Sequence, residues 1–290
     1  MQPKLFHLHA LSALHCGTGQ SAGVVDLPIA RDRASNLPLV PGSSLRGVLR
    51  EEFTGRDEAL AKTLFGPRTR AAIDSAYAGA LAVGDAHLLL LPVRALAGIV
   101  AYATCPFILR RYARDAGKII AAIPIPQPGP TEAFHATANQ NQVMGKIVLE
   151  ELDLTPTHRE EADRWAGAIA KAVFPDDKEA QDDLVQRFLI LPDSVFSFLA
   201  DTATEIRTRI AINPQTGTVD KDRGALWYEE NLPAESLLWG VYALSRSRVD
   251  GEQCTADELS AKFCDIPLLQ LGGKAGVGRG LTRFLHGGAP

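Results

Sequence analysis

Five glycines fall within nine residues in GGKAGVGRG, 272–280, directly after the apolar run at 268–271. This stretch restricts the fold most, because glycine enters the φ > 0 region freely and lets backbone approach backbone or ligand with no Cβ between them. After a strand, such a run makes either a tight turn or a nest of N–H groups that can hold an anion. Lys274 and Arg279 lie inside it and add positive charge. It is not a Walker loop, since no Gly-Lys-Ser/Thr follows the required spacing, and it is not a GxGxxG opening a helix. On this stretch alone, plain turn and anion nest both stay open.

Periodicity supplies the other elements. Residues 4–14 alternate through Phe6, Leu8 and Ala10, the pattern of a strand. Residues 15–42 form a long loop holding Gly17, Gly19, Gly23, Pro28, Pro38, Pro41 and Gly42; loops of this length are functional or disordered. A helix over 43–53 turns Leu45, Val48 and Leu49 inward, with Arg46 and Arg50 at i, i+4 sharing a second side. A strand is predicted over 80–93 and a helix over 96–114. The alternating prolines of IPIPQPGP, 123–130, read as an extended connection. Helices follow near 157–173 and 178–190, then a hairpin of 204–212 with 218–229. A strand over 237–244, a Thr255/Glu258 capping box opening a helix to Phe263, and a strand over 268–271 complete the pattern. Strand, helix, strand, then strand, helix, strand predicts an α+β chain on a ferredoxin-like (RRM-like) βαββαβ core.

Of 290 residues, 46% are hydrophobic and 22% charged, which excludes a disordered chain. The net charge of −4 hides an asymmetry. Residues 1–118 carry 14 Lys/Arg against 9 Asp/Glu, and residues 119–203 carry 6 against 14. A basic first part beside an acidic middle suggests a face for an anionic partner and a separate solvated lobe. Cys16, Cys105, Cys254 and Cys264 make no CxxC pair, so reduced thiols and a cytoplasmic location are expected. No signal peptide opens the chain, and the apolar stretch 95–109 is interrupted by Gly98, Thr104 and Pro106. No membrane partner is expected.

Three constellations could carry chemistry. PGSSLRGVLRE, 41–51, sets Ser43 and Ser44 at a helix N-terminus, where free N–H groups favour an anion; a plain cap with solvated arginines is the alternative. His15 and Asp26 could do acid–base work on a phosphodiester, although nothing in their spacing makes them meet. LWYEE, 226–230, ends the hairpin with Trp227, Tyr228, Glu229 and Glu230, aromatics that either stack on bases or pack in the core.

Five segments in this order resemble one family: HCGTGQSAGVVDLPIAR (15–31), LPLVPGSSLRGVLR (37–50), VGDAHLLLLPVRALAGIVAYATCPFILRR (83–111), TRIAINPQTGTVDKDRGALWYEENLP (208–233) and LQLGGKAGVGRGL (269–281). The chain is similar to the RAMP superfamily of CRISPR-associated RNA-binding proteins, and within it to the repeated backbone subunit of the type III-B effector, the Cmr complex.

The resemblance implies a palm of residues 1–118 and 231–290, a helical fingers-like insert over 119–203 and a thumb hairpin over 204–230. It implies partners as well: guide crRNA, single-stranded target RNA, further copies in a filament, and other subunits of the complex. The family activity is endoribonucleolytic cutting of target RNA at six-nucleotide spacing with a divalent metal, Mg or Mn, leaving a 2′,3′-cyclic phosphate. Asp26 matches the residue tied to cutting and to metal, and His15, Tyr228 and Glu229 match positions near the cleaved bond. Ser43, Ser44, Arg46 and Arg50 match the guide-binding helix, and Gly273, Lys274 and Arg279 fall in the RNA-binding glycine loop. Ala275 stands where the family commonly has Thr or Ser. The competing readings are a non-catalytic guide-RNA scaffold, a type III-A backbone homologue and a stand-alone guide-processing nuclease.

Overall fold

The first strand departs from the simplest meaning of its alternation. PKLFHLHA forms β1 (Pro3–Ala10), and every side chain from Leu5 onward is buried, His7 and His9 included. A strand with one wet face would expose them; here both faces are covered. Phe6 stacks on Phe284 with ring centroids 5.3 Å apart. On the opposite face His7 Nε2 lies 2.9 Å from the Tyr112 hydroxyl. Burial pushes the His7 imidazole down to about 4, so it sits in the core as a neutral polar group.

The computed structural model describes residues 3–20, 23–67, 77–213, 215–219, 226–249, 254–263 and 265–286. After β1 come β2 (Leu39–Val40), α1 (Gly42–Arg56), α2 (Glu58–Phe65), β3 (Leu81–Val83), β4 (Ala86–Arg94), β5 (Val100–Thr104), α3 (Pro106–Asp115) and α4 (Lys118–Ala121). The middle holds β6 (Glu132–His135), β7 (Gln142–Val143), β8 (Lys146–Leu149), β9 (Leu152–His158), α5 (Glu160–Val173), α6 (Lys178–Gln186), β10 (Phe188–Ile190) and α7 (Asp193–Thr202). The last part holds β11 (Glu205–Ile210), β12 (Leu226–Asn231), β13 (Leu237–Leu244), α8 (Ala256–Lys262), β14 (Ile266–Gln270) and β15 (Leu281–His286).

One mixed sheet runs β14-β15-β1-β13-β4-β5-β10-β6-β9-β8-β7, with β2 joined to β4 and β3 to β13. From β15 through β1 and β13 to β4 every neighbour is antiparallel. Helix α1 follows β1 and α8 follows β13. Phe53 of α1 stacks on Phe263, just past α8, at 5.4 Å, so both helices cover one face. Tyr112 of α3 meets Trp239 of β13 edge-on at 5.6 Å on the other. Strands β11 and β12 form a separate two-stranded ribbon.

Several expectations change. The helix predicted over 96–114 is a strand and a helix: Gly98 and Ile99, both at positive φ, turn the chain into β5, and α3 begins at Pro106. Proline suits a first helical turn, where its missing N–H costs nothing. The insert over 119–203 is not simply helical. It contributes β6 to β10, and β10 pairs in parallel with β5, so the sheet runs on from the first part of the chain into the insert. The helix predicted over 178–190 stops at Gln186, and Phe188–Ile190 is a buried strand. The predicted strand over 80–93 is broken into β3 and β4 by Gly84 and Asp85. The capping box at Thr255 and Glu258 is present as expected. The hairpin pairs from Glu205↔Asn231 to Ile210↔Leu226, with an isolated bridge Ile212↔Val219. Residues 214 and 220–225 of that hairpin lie outside the described residues, as do residues 21 and 22 of the long loop and Cys264.

Candidate functional site

The long loop after β1 is stitched to one edge of β12. Leu14 bridges Leu232, and Leu27 bridges Glu229 in parallel. Leu27 N–H donates to Tyr228 O at 3.0 Å, and Glu230 N–H donates to Leu27 O at 3.0 Å. Side chains continue the same row. The Tyr228 N–H donates to Asp26 Oδ2 at 2.8 Å, and His15 Nδ1 lies 2.7 Å from Glu230 O. Asp26 and His15, which their spacing left unrelated, are therefore two residue positions apart along one strand edge. Because a carbonyl only accepts, His15 Nδ1 carries the proton and Nε2 is the basic nitrogen of the neutral ring. Beside it, burial pushes the Cys16 thiol up to about 12, which removes it as a nucleophile at neutral pH.

The glycine loop packs on the same histidine. Gly273 N–H donates to His15 O at 2.9 Å. Gly272 has φ 72°, and a Cβ there would lie 2.3 Å from His15 O. Only glycine fits this approach. Lys274, also at positive φ, stands exposed on the loop surface.

Arg279 is placed otherwise than an RNA-facing cation. It is 7% exposed, and its Nε donates to Glu229 Oε1 at 3.1 Å. Glu229 is fully buried, with Arg209 Nε 3.9 Å from its Oε2. Burial alone would raise the Glu229 pKa. Hydrogen bonds from Asn231 and Arg279, together with the positive charge of Arg279 and the influence of His15, hold it below the usual carboxylate range. Glu229 and Arg279 thus form an internal ion pair beneath the loop. Tyr228, by contrast, turns its side chain outward.

On α1, Ser43 and Ser44 are exposed at the N-terminus, while Asp85 Oδ1 accepts the Gly42 N–H at 2.7 Å. Arg46 and Arg50 share a side as their spacing predicts, and that side faces the end of α2. Arg46 donates to Phe65 O at 2.6 Å, and Arg50 donates to Phe65 O and Gly66 O. They therefore supply donors to the carbonyls of Phe65 and Gly66 at the C-terminus of α2.

The ribbon presents two unlike faces. Ile206, Ile210, Ile212, Val219, Leu226 and Tyr228 are exposed apolar or aromatic side chains, and the pairing register sets Ile206, Thr208, Ile210, Leu226 and Tyr228 on one face. Arg207 and Arg209 belong to the other. Sequence reasoning named Glu230 only as the end of LWYEE and gave no role to it or to Arg31. Glu230 Oε2 accepts the Ile29 N–H at 3.0 Å, and Oε1 accepts from Arg31 at 2.6 Å. Glu230 closes the LWYEE motif, but nothing in the motif pointed to Arg31 as its partner.

Residues 7–283 match the RAMP superfamily, and the chain belongs to that family. Within it, the chain is similar to the CRISPR system Cmr endoribonuclease Cmr4 of Pyrococcus furiosus, at 34% identity over 98% of this chain and 95% of that protein. The crystal structure of oligomeric Cmr4 from Pyrococcus furiosus superposes over all of both chains with a TM-score of 0.74 at 27% identity. A further crystal structure of Cmr4 gives 0.72 at 26% identity, again over all of both chains. A chain from the cryo-EM structure of the type III-B Cmr-beta bound to cognate target RNA shares the fold, with a TM-score of 0.74 at 18% identity over 99% of this chain and 97% of that one.

Proposed function

We propose that this chain is the repeated guide-RNA-binding backbone subunit of a type III-B CRISPR effector, and that it cuts complementary target RNA at regular six-nucleotide spacing. The carrying observation is the near full-length similarity to a Cmr endoribonuclease, joined to a site in which Asp26 and His15 bond Tyr228 and Glu230, two positions apart on one edge of β12. The antiparallel order β15-β1-β13-β4, with α1 and α8 in the crossovers, supports reading that part as a ferredoxin-like palm. The β11–β12 ribbon is then the thumb and 119–203 the fingers. No helix among the described residues is long and apolar enough to cross a membrane, which accords with a cytoplasmic place beside the RNA.

In the reaction, the target ribose 2′-hydroxyl attacks the adjacent phosphorus. Its proton passes to a base, the bond to the 5′-oxygen breaks, and that oxygen takes up a proton. The products are a 2′,3′-cyclic phosphate and a 5′-hydroxyl. Asp26 is the carboxylate set at the reacting ribose, and His15, buried at 5% exposure, supports that edge through its bond to Glu230 O. The apolar face of the ribbon wedges between bases and splays the scissile nucleotide into in-line geometry. Tyr228 lies on that face, next to Asp26. Glu229 acts from below as the counter-ion that holds Arg279 and the glycine loop. Exposed Ser43 and Ser44 at the positive end of α1, and Gly273 and Lys274 on the loop, take guide phosphates.

The donor set fits a divalent ion only in part. Among the described residues no group of three His, Cys, Asp or Glu side chains could hold a metal. Asp26 engages β12 through Oδ2, and its second oxygen is the hard donor we assign to Mg²⁺ or Mn²⁺. Magnesium is commonly held by one or two carboxylates together with substrate phosphates and waters. When bound, such an ion stabilises negative charge on the phosphate.

The test is Asp26→Ala in the complex assembled with guide and complementary RNA. Cutting disappears and guide binding stays near normal. Full cutting would take the cutting role away from Asp26, absence of cutting by the unsubstituted complex would leave the chain a non-catalytic scaffold, and equal loss of guide binding would make Asp26 a folding residue.

A further inference from the structure

We infer that Arg31 is the positioning residue of the Asp26 loop, one guanidinium that pins this loop both to β12 and to the C-terminal end of α7. The inference rests on the cutting role proposed for Asp26.

Every polar contact of Arg31 points inward to the protein. Nη2 donates to Glu230 Oε1 at 2.6 Å and to Ala200 O at 3.2 Å. Nη1 donates to Ala200 O at 3.2 Å, Asp201 Oδ1 at 3.0 Å and Asn36 O at 2.9 Å. Ala200 O is among the last carbonyls of α7, which lack partners inside the helix and sit at its negative end. The Arg31 and Glu230 side chains are only 17% and 7% exposed, so the pair is shielded from water.

Glu230 completes the clasp. Its second oxygen takes the Ile29 N–H, so the loop is fixed at residues 29 and 31 by one carboxylate. Asp26 lies just upstream, tied to β12 by the Leu27 pairing and the Tyr228 N–H, while Pro28 O and the Ala30 N–H pair with Thr18 and Cys16 on the other side of the segment. The ribbon has no strand pairing with the main sheet among the described residues. Arg31 thus gives the loop, the ribbon base and α7 a common anchor. Lysine cannot replace it, because a single ammonium lacks the planar fork that reaches three directions at once.

The experiment uses the assembled complex with Arg31→Ala and Arg31→Lys as single variants, and with Glu230→Gln alone and combined with Arg31→Lys to complete a double-mutant cycle. Single-turnover cutting at saturating target is read beside guide and target binding and amide exchange of residues 26–31 and 226–231. We expect binding within about twofold of normal and a cutting rate lower by about 10- to 100-fold, the scale of a misplacement near 1 Å. Exchange at the Leu27 and Ile29 amides speeds up in both Arg31 single variants. In the Glu230→Gln background Arg31→Lys adds little further loss, because residues that act through one another are not additive. Unchanged exchange at these amides would overturn the inference, as would an undiminished multiplicative loss on top of Glu230→Gln. If Arg31→Ala does not fold, Arg31→Lys, which keeps the charge, decides. A wild-type complex that fails to cut defeats the activity reading, while the exchange measurement still decides whether Arg31 pins the loop.

Discussion

Replacing Gly272 by alanine tests whether the glycine loop is docked on His15 in solution. At φ 72° an L-residue pays roughly 1–2 kcal/mol for the left-handed conformation. The new Cβ would also sit 2.3 Å from His15 O, with His15 C at 2.8 Å and Cys16 N at 3.2 Å. All three are backbone atoms, so no side chain can swing away. The loop must lift, which breaks the Gly273 N–H bond to His15 O and costs roughly 1 kcal/mol more. The expected destabilisation is about 2–3 kcal/mol, or a midpoint roughly 3–5 °C lower for a chain of this length. Thermal unfolding followed by circular dichroism reads it. Gly276→Ala is the control: nothing lies within 4 Å of its Cβ position, and the change should stay within about 0.5 kcal/mol. Cutting should fall with Gly272→Ala, since the displaced carbonyl belongs to the histidine on the β12 edge. Equal midpoints for the two variants would refute the docking argument.

Two further outcomes are expected. Arg46→Ala combined with Arg50→Ala should lower the thermal midpoint, because the carbonyls ending α2 lose their donors; the salt slope of RNA binding should hold, and a slope lower by about 0.7 per phosphate would show that these arginines also reach RNA. An unchanged midpoint would mean those donors are dispensable. His7 is held near 4 in the folded chain against 6.5 ordinarily, so the unfolded chain binds the proton more tightly. Its contribution is present above about pH 6.5 and is lost as pH falls toward 4, at no more than about 1.4 kcal/mol per pH unit. Urea midpoints across that range should show the slope, and His7→Gln should flatten it; an equal slope in the variant would assign the proton elsewhere.

What the sequence makes legible is local. The capping box at Thr255, the glycine run, the i, i+4 side of Arg46 and Arg50, and the strand centred on Leu8 all follow from neighbouring residues. The partners of those groups do not. Arg46 and Arg50 turn to α2, a helix that the 43–53 pattern did not anticipate. Arg279 looks like a phosphate ligand by composition, yet burial beside Glu229, fifty positions away, makes it an internal counter-ion. Asp26 and His15 come to one strand edge only because the loop is registered against a strand some two hundred residues later, and no short-range pattern encodes that register. The two ends of β5 had their markers in Gly98 and Pro106, hidden by the continuous apolar run around them.

The row of bonds along β12 has a consequence for how variants behave in a test tube. An unpaired strand edge is a template on which another chain can add. In this protein the residues assigned to cutting are also the ones that cover such an edge: Asp26, Leu27 and His15 occupy the outward-pointing groups of Tyr228 and Glu230. Substitutions that loosen the 26–29 segment uncover several of these groups in sequence, beside a ribbon face already rich in exposed isoleucine. Inactive variants of this loop should therefore be checked for self-association by light scattering before lost cutting is credited to lost chemistry.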